Sequence, residues 1–109
     1  MLDLIKTLVE PRGVTGDEAE IAQVILALCR ERADSAHIDK LGNVIAFKKG
    51  KSGAKQVMAD AHMDEVGVIV MGITEDGYLK FDFVGGVDRR VVIGQRVWFG
   101  NVMGVIGLR

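Results

Sequence analysis

Ala61-His62-Met63-Asp64-Glu65-Val66-Gly67 stands between two short apolar runs, Val57-Met58-Ala59 and Val68-Ile69-Val70-Met71. The pattern predicts a central strand over Gln56 to Ala61 that ends at the polar residues. Side chains two apart on a strand share a face. His62 and Asp64 would therefore project together from a strand end, where ligand sites of α/β sheets tend to lie. An imidazole beside a carboxylate suits a zinc-type metal: one ring nitrogen coordinates while the other N–H is held by the carboxylate. The bare His-x-Asp pair is a weak signal, since that spacing arises by chance in many chains. Glu65 would turn to the opposite strand face and is read as structural. A buried carboxylate is costly unless partnered. Asp60 is thus expected either to face a polar pocket near the site or to lie at the solvated strand end.

Upstream of this stretch the apolar period is helical. Leu2, Ile5, Leu8 and Val9 recur at helical spacing, and Pro11 and Gly13 end the run. Thr15-Gly16-Asp17-Glu18 offers a cap and early acidic residues for a second helix reaching about Arg32. From His37 the period shortens. Short strands are expected at His37 to Asp39 and Val44 to Phe47 around Leu41-Gly42-Asn43, with a further turn at Gly50 to Gly53. Downstream, Val66 to Thr74 and Tyr78 to Val84 read as a hairpin closed by Glu75-Asp76-Gly77. Val91 to Ile93, Arg96 to Phe99 and Val102 to Ile106 continue a β-rich tail with a tight turn at Gly100-Asn101. The fourteen glycines, mostly after Gly42, favour a small, strongly curved sheet or barrel.

The 109 residues fit one small domain, and 49% apolar with only 6% aromatic residues predicts an aliphatic core. Fourteen basic and fifteen acidic residues are interspersed, for a formal charge of −1. That balance offers no electrostatic footprint for nucleic acid or an anionic membrane. Lys48-Lys49-Gly50-Lys51 reads as a solvated hairpin tip, because its turn composition accounts for it. No apolar stretch is long enough to cross a bilayer, and the N-terminus lacks the pattern of a signal peptide. The single cysteine, Cys29, allows no internal disulfide, suits a reducing cytoplasm and falls on the apolar helix face as a structural thiol. His37 reads as an ordinary strand histidine.

Taken in order, Asp39-Lys40-Leu41-Gly42-Asn43, Ala61 to Gly67, Val84-Gly85-Gly86-Val87-Asp88 and Ile93-Gly94-Gln95-Arg96-Val97 resemble the M42 family of metallo-aminopeptidases. This is the glutamyl aminopeptidase group, some of whose members have been labelled endoglucanase M. The resemblance runs from about Leu2 to Gly107. It implies an α/β fold: residues 1–70 would be the N-terminal part of a zinc-peptidase-like catalytic domain. Residues 71–109 would begin an inserted β-barrel dimerisation domain, so the chain would hold the start of both and complete neither. It also implies two divalent ions, zinc or cobalt, per active site of the complete enzyme, peptide substrates and a homo-oligomer. His62 would be a metal ligand and Asp64 the supporting carboxylate of the catalytic site. The family's bridging aspartate, Glu-Glu pair and second histidine match nothing in these residues, so the chain alone is expected to be inactive. Two other readings stand beside this one. One is a non-catalytic, β-rich oligomerisation module. The other, an endoglucanase, is disfavoured because glycosidases use a carboxylate pair flanking the sugar bond.

Overall fold

The computed structural model describes residues 1–51 and 55–108; the turn expected at Gly50 to Gly53 runs outside that set. Helix α1 spans Leu2–Val9 and packs on helix α2, Ala19–Arg30. Along α2 the buried positions Ile21, Ala22 and Leu26 form one stripe, while Gln23, Ala27 and Arg30 face solvent. The stripe lies on an antiparallel pair, β1 (Ser35–Ile38) and β2 (Val44–Phe47), in register from Ser35↔Phe47 to Ile38↔Val44. Burying side chains the size of Ile21 and Leu26 contributes about 1.5–3 kcal/mol each. The helix is shorter than its periodicity suggests. It begins at Ala19 with Glu18 as N-cap and no side-chain capping bond, so Thr15 does not cap it. After Arg30 the chain tightens, with the Arg32 and Ala33 amides both donating to the Cys29 carbonyl. Cys29 is half-buried on this helix.

The β1–β2 turn is tied by one side chain. An Asp39 carboxylate oxygen accepts the Leu41 and Asn43 amides at 2.8 and 2.9 Å, and the other accepts Asn43 Nδ2 at 3.0 Å. The Asn43 side-chain amide, followed by the Asn43, Leu41 and Gly42 backbone, holds the Asp39 carboxyl below the usual carboxylate range. A group depressed in the fold stabilises it fully above the ordinary range and loses that contribution as pH falls through the lowered value. Asn43→Ala removes the largest cause, so Asp39 should titrate at higher pH and the turn should loosen earlier on acidification. Carboxyl carbon NMR of Asp39 across an acid titration checks this; an unchanged midpoint would rule it out.

Beyond β2 the expected central strand is absent. Residues 55–64 form no strand, and Val57 and Met58 are about nine-tenths exposed. A strand needs a neighbour for its backbone groups, and none of the described strands lies against this segment. Asp60 is accordingly solvated. The hairpin that follows is present. β3 (Gly67–Ile73) pairs antiparallel with β4 (Leu79–Val84), and an irregularity between Val70 and Gly72 leaves Met71 out of register. Phe81 and Phe83 meet edge to face at 5.4 Å, and Arg89 lies 5.1 Å over the Phe83 ring. Val91 to Ile93, expected as a strand, is a turn: Val91 N–H donates to Asp88, Gln95 N–H to Val92, and Gly94 takes φ +80°. β5 (Arg96–Phe99) and β6 (Val102–Val105) close around Gly100-Asn101 as expected.

Among the described residues the strands form three separate two-stranded sheets, not the continuous curved sheet or barrel that the glycines suggest. The accessible surface is 9411 Å², against about 5,900 Å² for a folded monomer of this mass. The radius of gyration is 18.4 Å, against about 13 Å for a compact chain of this length. Only Ile21, Ala22, Leu26 and Ile106 form a buried apolar core among the described residues. Many of the other apolar side chains, Ile69, Val70, Trp98 and Val105 among them, stand exposed on the hairpins.

Candidate metal centre

The turn between the helices and the stretch before β3 build one small site. Asp17 N–H donates to the Val14 carbonyl at 2.7 Å with Gly16 at φ +92°, a turn that favours glycine at its third position. This turn presents Val14 and Thr15 to the segment at Asp64 and Glu65. There the Glu65 N–H donates to the Gly13 carbonyl at 2.7 Å and the Thr15 N–H to the Glu65 carbonyl at 3.3 Å. Val14 and Glu65 form an isolated parallel bridge. The backbone of Glu65 is thus what fastens the two segments. Gly13, which is buried, seats the arrangement against Ile21 of α2.

On this seat His62 and Asp64 meet directly. His62 Nδ1 lies 2.9 Å from Asp64 Oδ1 and 3.1 Å from the Asp64 carbonyl oxygen. The other carboxylate oxygen, Oδ2, accepts the Thr15 hydroxyl at 2.7 Å. That hydroxyl, then the His62 ring, hold the Asp64 carboxyl below its ordinary range. Asp64 is therefore an ionised acceptor at neutral pH, and Nδ1 must be the ring nitrogen that carries hydrogen. Nε2 is left as the acceptor, on a side chain 85% exposed. The meeting does not come from a strand, since residues 61–64 are irregular. His37 stands elsewhere, opposite Ile45 in the β1–β2 pair.

A neutral imidazole with Nδ1–H on a carboxylate and Nε2 open is suited to a divalent metal. His62 is the residue able to hold one; Asp64 already divides its oxygens between two donors. No group of three or more His, Cys, Asp and Glu side chains is placed to complete a site among the described residues. Thr15, read from sequence as a helix cap, is the site member that periodicity missed.

The family model for M42 glutamyl aminopeptidase matches residues 42–109, which include His62 and Asp64 but not Thr15. The chain belongs to the M42 family. A protein of Acetivibrio thermocellus provisionally assigned as an aminopeptidase is 49% identical over 98% of this chain and 31% of its own length. An aminopeptidase from the archaeon Desulfurococcus kamchatkensis superposes with a TM-score of 0.89 at 35% identity, over 98% of this chain and 31% of that one. A crystal structure of an endoglucanase from Thermotoga maritima gives a TM-score of 0.88 at 42% identity, over 96% of this chain and 34% of that one. This M42 chain therefore spans about a third of the length of the relatives it matches, and its α/β fold is theirs over that span.

Proposed function

We propose that this M42 chain supplies one edge of a two-metal aminopeptidase centre, with His62 as ligand and Asp64 as the carboxylate that orients it. The observation that carries this reading is the 2.9 Å contact between His62 Nδ1 and Asp64 Oδ1, which leaves Nε2 open. A bound divalent pair supplies a polarised carbonyl and an activated water for hydrolysing the N-terminal residue of a peptide. This chain's own part is positional. Asp64 holds the Nδ1 hydrogen, fixes the ring's tautomer and makes Nε2 a better donor of electrons.

On this reading residues 1–70 belong to the catalytic domain and 71–109 begin a β-barrel dimerisation domain through which the whole protein forms a homo-oligomer. The open apolar faces of β3–β4 and β5–β6 favour such a covered role. No helix among the described residues is long and apolar enough to cross a membrane, and a cytoplasmic setting suits the lone thiol. The glycanase reading is weaker here. A glycosidase sets two carboxyl groups across the sugar bond, whereas the Asp64 carboxylate is divided between a histidine ring and a threonine hydroxyl.

One histidine and its partner cannot saturate a zinc site. The purified 109-residue chain should therefore release no amino acid from peptides with zinc or cobalt added; turnover retained through purification would overturn the incomplete-site reading. The ligand assignment has its own check. Cobalt(II) titrated into the chain should broaden the His62 ring resonances at lower concentration than those of His37. Equal broadening would remove His62 from the role.

A further inference from the structure

We propose that Thr15 is a positioning residue for the metal edge: its hydroxyl locks the Asp64 carboxylate so that His62 is held as the Nδ1–H tautomer. The assignment rests on the reading of His62 as a ligand and goes one step behind it, to what keeps the ligand ready.

An aspartate carboxylate rotates about a broad, two-fold torsion. A single hydrogen bond to His62 leaves it free to swap oxygens or swing toward water. In this chain the two oxygens are divided. Oδ1 faces His62 Nδ1 at 2.9 Å and Oδ2 accepts from Thr15 at 2.7 Å. With both ends held, the carboxylate plane is set, and Oδ1 stays aimed at the ring.

Thr15 is itself well placed to impose this. Its amide is bonded to the Glu65 carbonyl, one residue beyond the group it holds, so hydroxyl and carboxylate share one backbone frame. Its β-branched side chain restricts χ1. The tight turn from Val14 to Asp17 fixes the approach from the other side. No cap on α2 competes for the hydroxyl, and its second acceptor, the Glu65 carbonyl, stands at 3.5 Å against 2.7 Å for the Asp64 carboxylate. A group held in this way behind a ligand tunes a site without touching metal or substrate.

The test reads the ring, not the reaction. In the metal-free full chain, nitrogen NMR of His62 above its titration range reports which ring nitrogen bears hydrogen. Asp64→Ala, which leaves only the carbonyl of residue 64 at 3.1 Å before Nδ1, defines the signature of the ring released from the carboxylate. Thr15→Val should shift His62 to that released signature, and Thr15→Ser, which restores a hydroxyl, should return it to the wild-type one. If valine disturbs the pairing of Gly13 and Thr15 with Glu65, seen in the backbone amide spectrum, Thr15→Ala makes the same comparison without the branched side chain. A wild-type ring signature in the hydroxyl-free variants would overturn the proposal. So would a serine variant that behaves like them, because the methyl and not the hydroxyl would then be responsible. Since no metal is present, failure of His62 to take cobalt would refute the ligand reading and leave this result standing.

Discussion

Gly67→Ala should detach the turn carrying Thr15 from the segment carrying Asp64, at a cost of about 1–3 kcal/mol in stability, the usual range for overpacking a close contact. A methyl at Gly67 would lie 2.6 and 2.8 Å from the two Val14 methyls and 3.3 Å from its Cβ. Val14 cannot rotate out of the way easily, because branching at Cβ stiffens its χ1. Nor can its backbone slide, since it bridges Glu65. The strain must then be relieved by opening the short ladder itself. The first bonds lost would be Thr15 N–H to the Glu65 carbonyl, at 3.3 Å, and the Thr15 hydroxyl to Asp64, at 2.7 Å. Urea unfolding together with the chemical shift of the Asp64 carboxyl carbon measures both consequences. Trimming the partner gives the control: Val14→Ala in the Gly67→Ala background should recover much of the loss. A change within about 0.5 kcal/mol, the scale of an indifferent surface substitution, with the Asp64 shift unaltered would contradict this account.

Local pattern made some of this structure readable and could not make the rest so. Both helices, the β1–β2 pair and the β3–β4 and β5–β6 hairpins follow from period and turn residues, which act over a few positions. Gln56 to Ala61 has the composition of a strand and is not one, because pairing depends on a neighbour that composition does not specify. Thr15 ahead of Gly16-Asp17-Glu18 looks like a cap, yet its hydroxyl binds a carboxylate 49 residues away. His62 and Asp64 were recognisable because two residues apart is within reach of each other's side chains. The strand geometry invoked to bring them together is not what does so. The glycines are the clearest case. Gly16, Gly77 and Gly100 sit in turns with positive φ, as turn chemistry expects. Gly13 and Gly67 instead make room for Ile21 and Val14, a requirement set wholly by tertiary contact.

Gly13→Ala and Ile21→Ala should be non-additive, and their coupling would show how the candidate site is seated on the core. A methyl at Gly13 would meet Ile21 Cγ2 at 2.7 Å and Ile21 Cβ at 3.4 Å. Gly13→Ala alone should therefore cost about 1–3 kcal/mol as overpacking. Ile21 is 3% exposed in the α2 stripe, and Ile21→Ala alone should cost about 2–5 kcal/mol through lost burial and a cavity. In the double variant the added methyl enters the space that the isoleucine vacated, so the total should fall short of the sum by about 0.5–3 kcal/mol. Valine at position 21 would not serve, since it keeps a methyl at Cγ2. On its other side the same Gly13 methyl would stand 3.4 Å from the Met63 carbonyl, between His62 and Asp64. The glycine is thus the point where the helix core and the candidate ligand segment press on one backbone. A cycle measured by urea unfolding that closes additively would mean that the turn moves independently of α2, with the site resting on its hydrogen bonds alone.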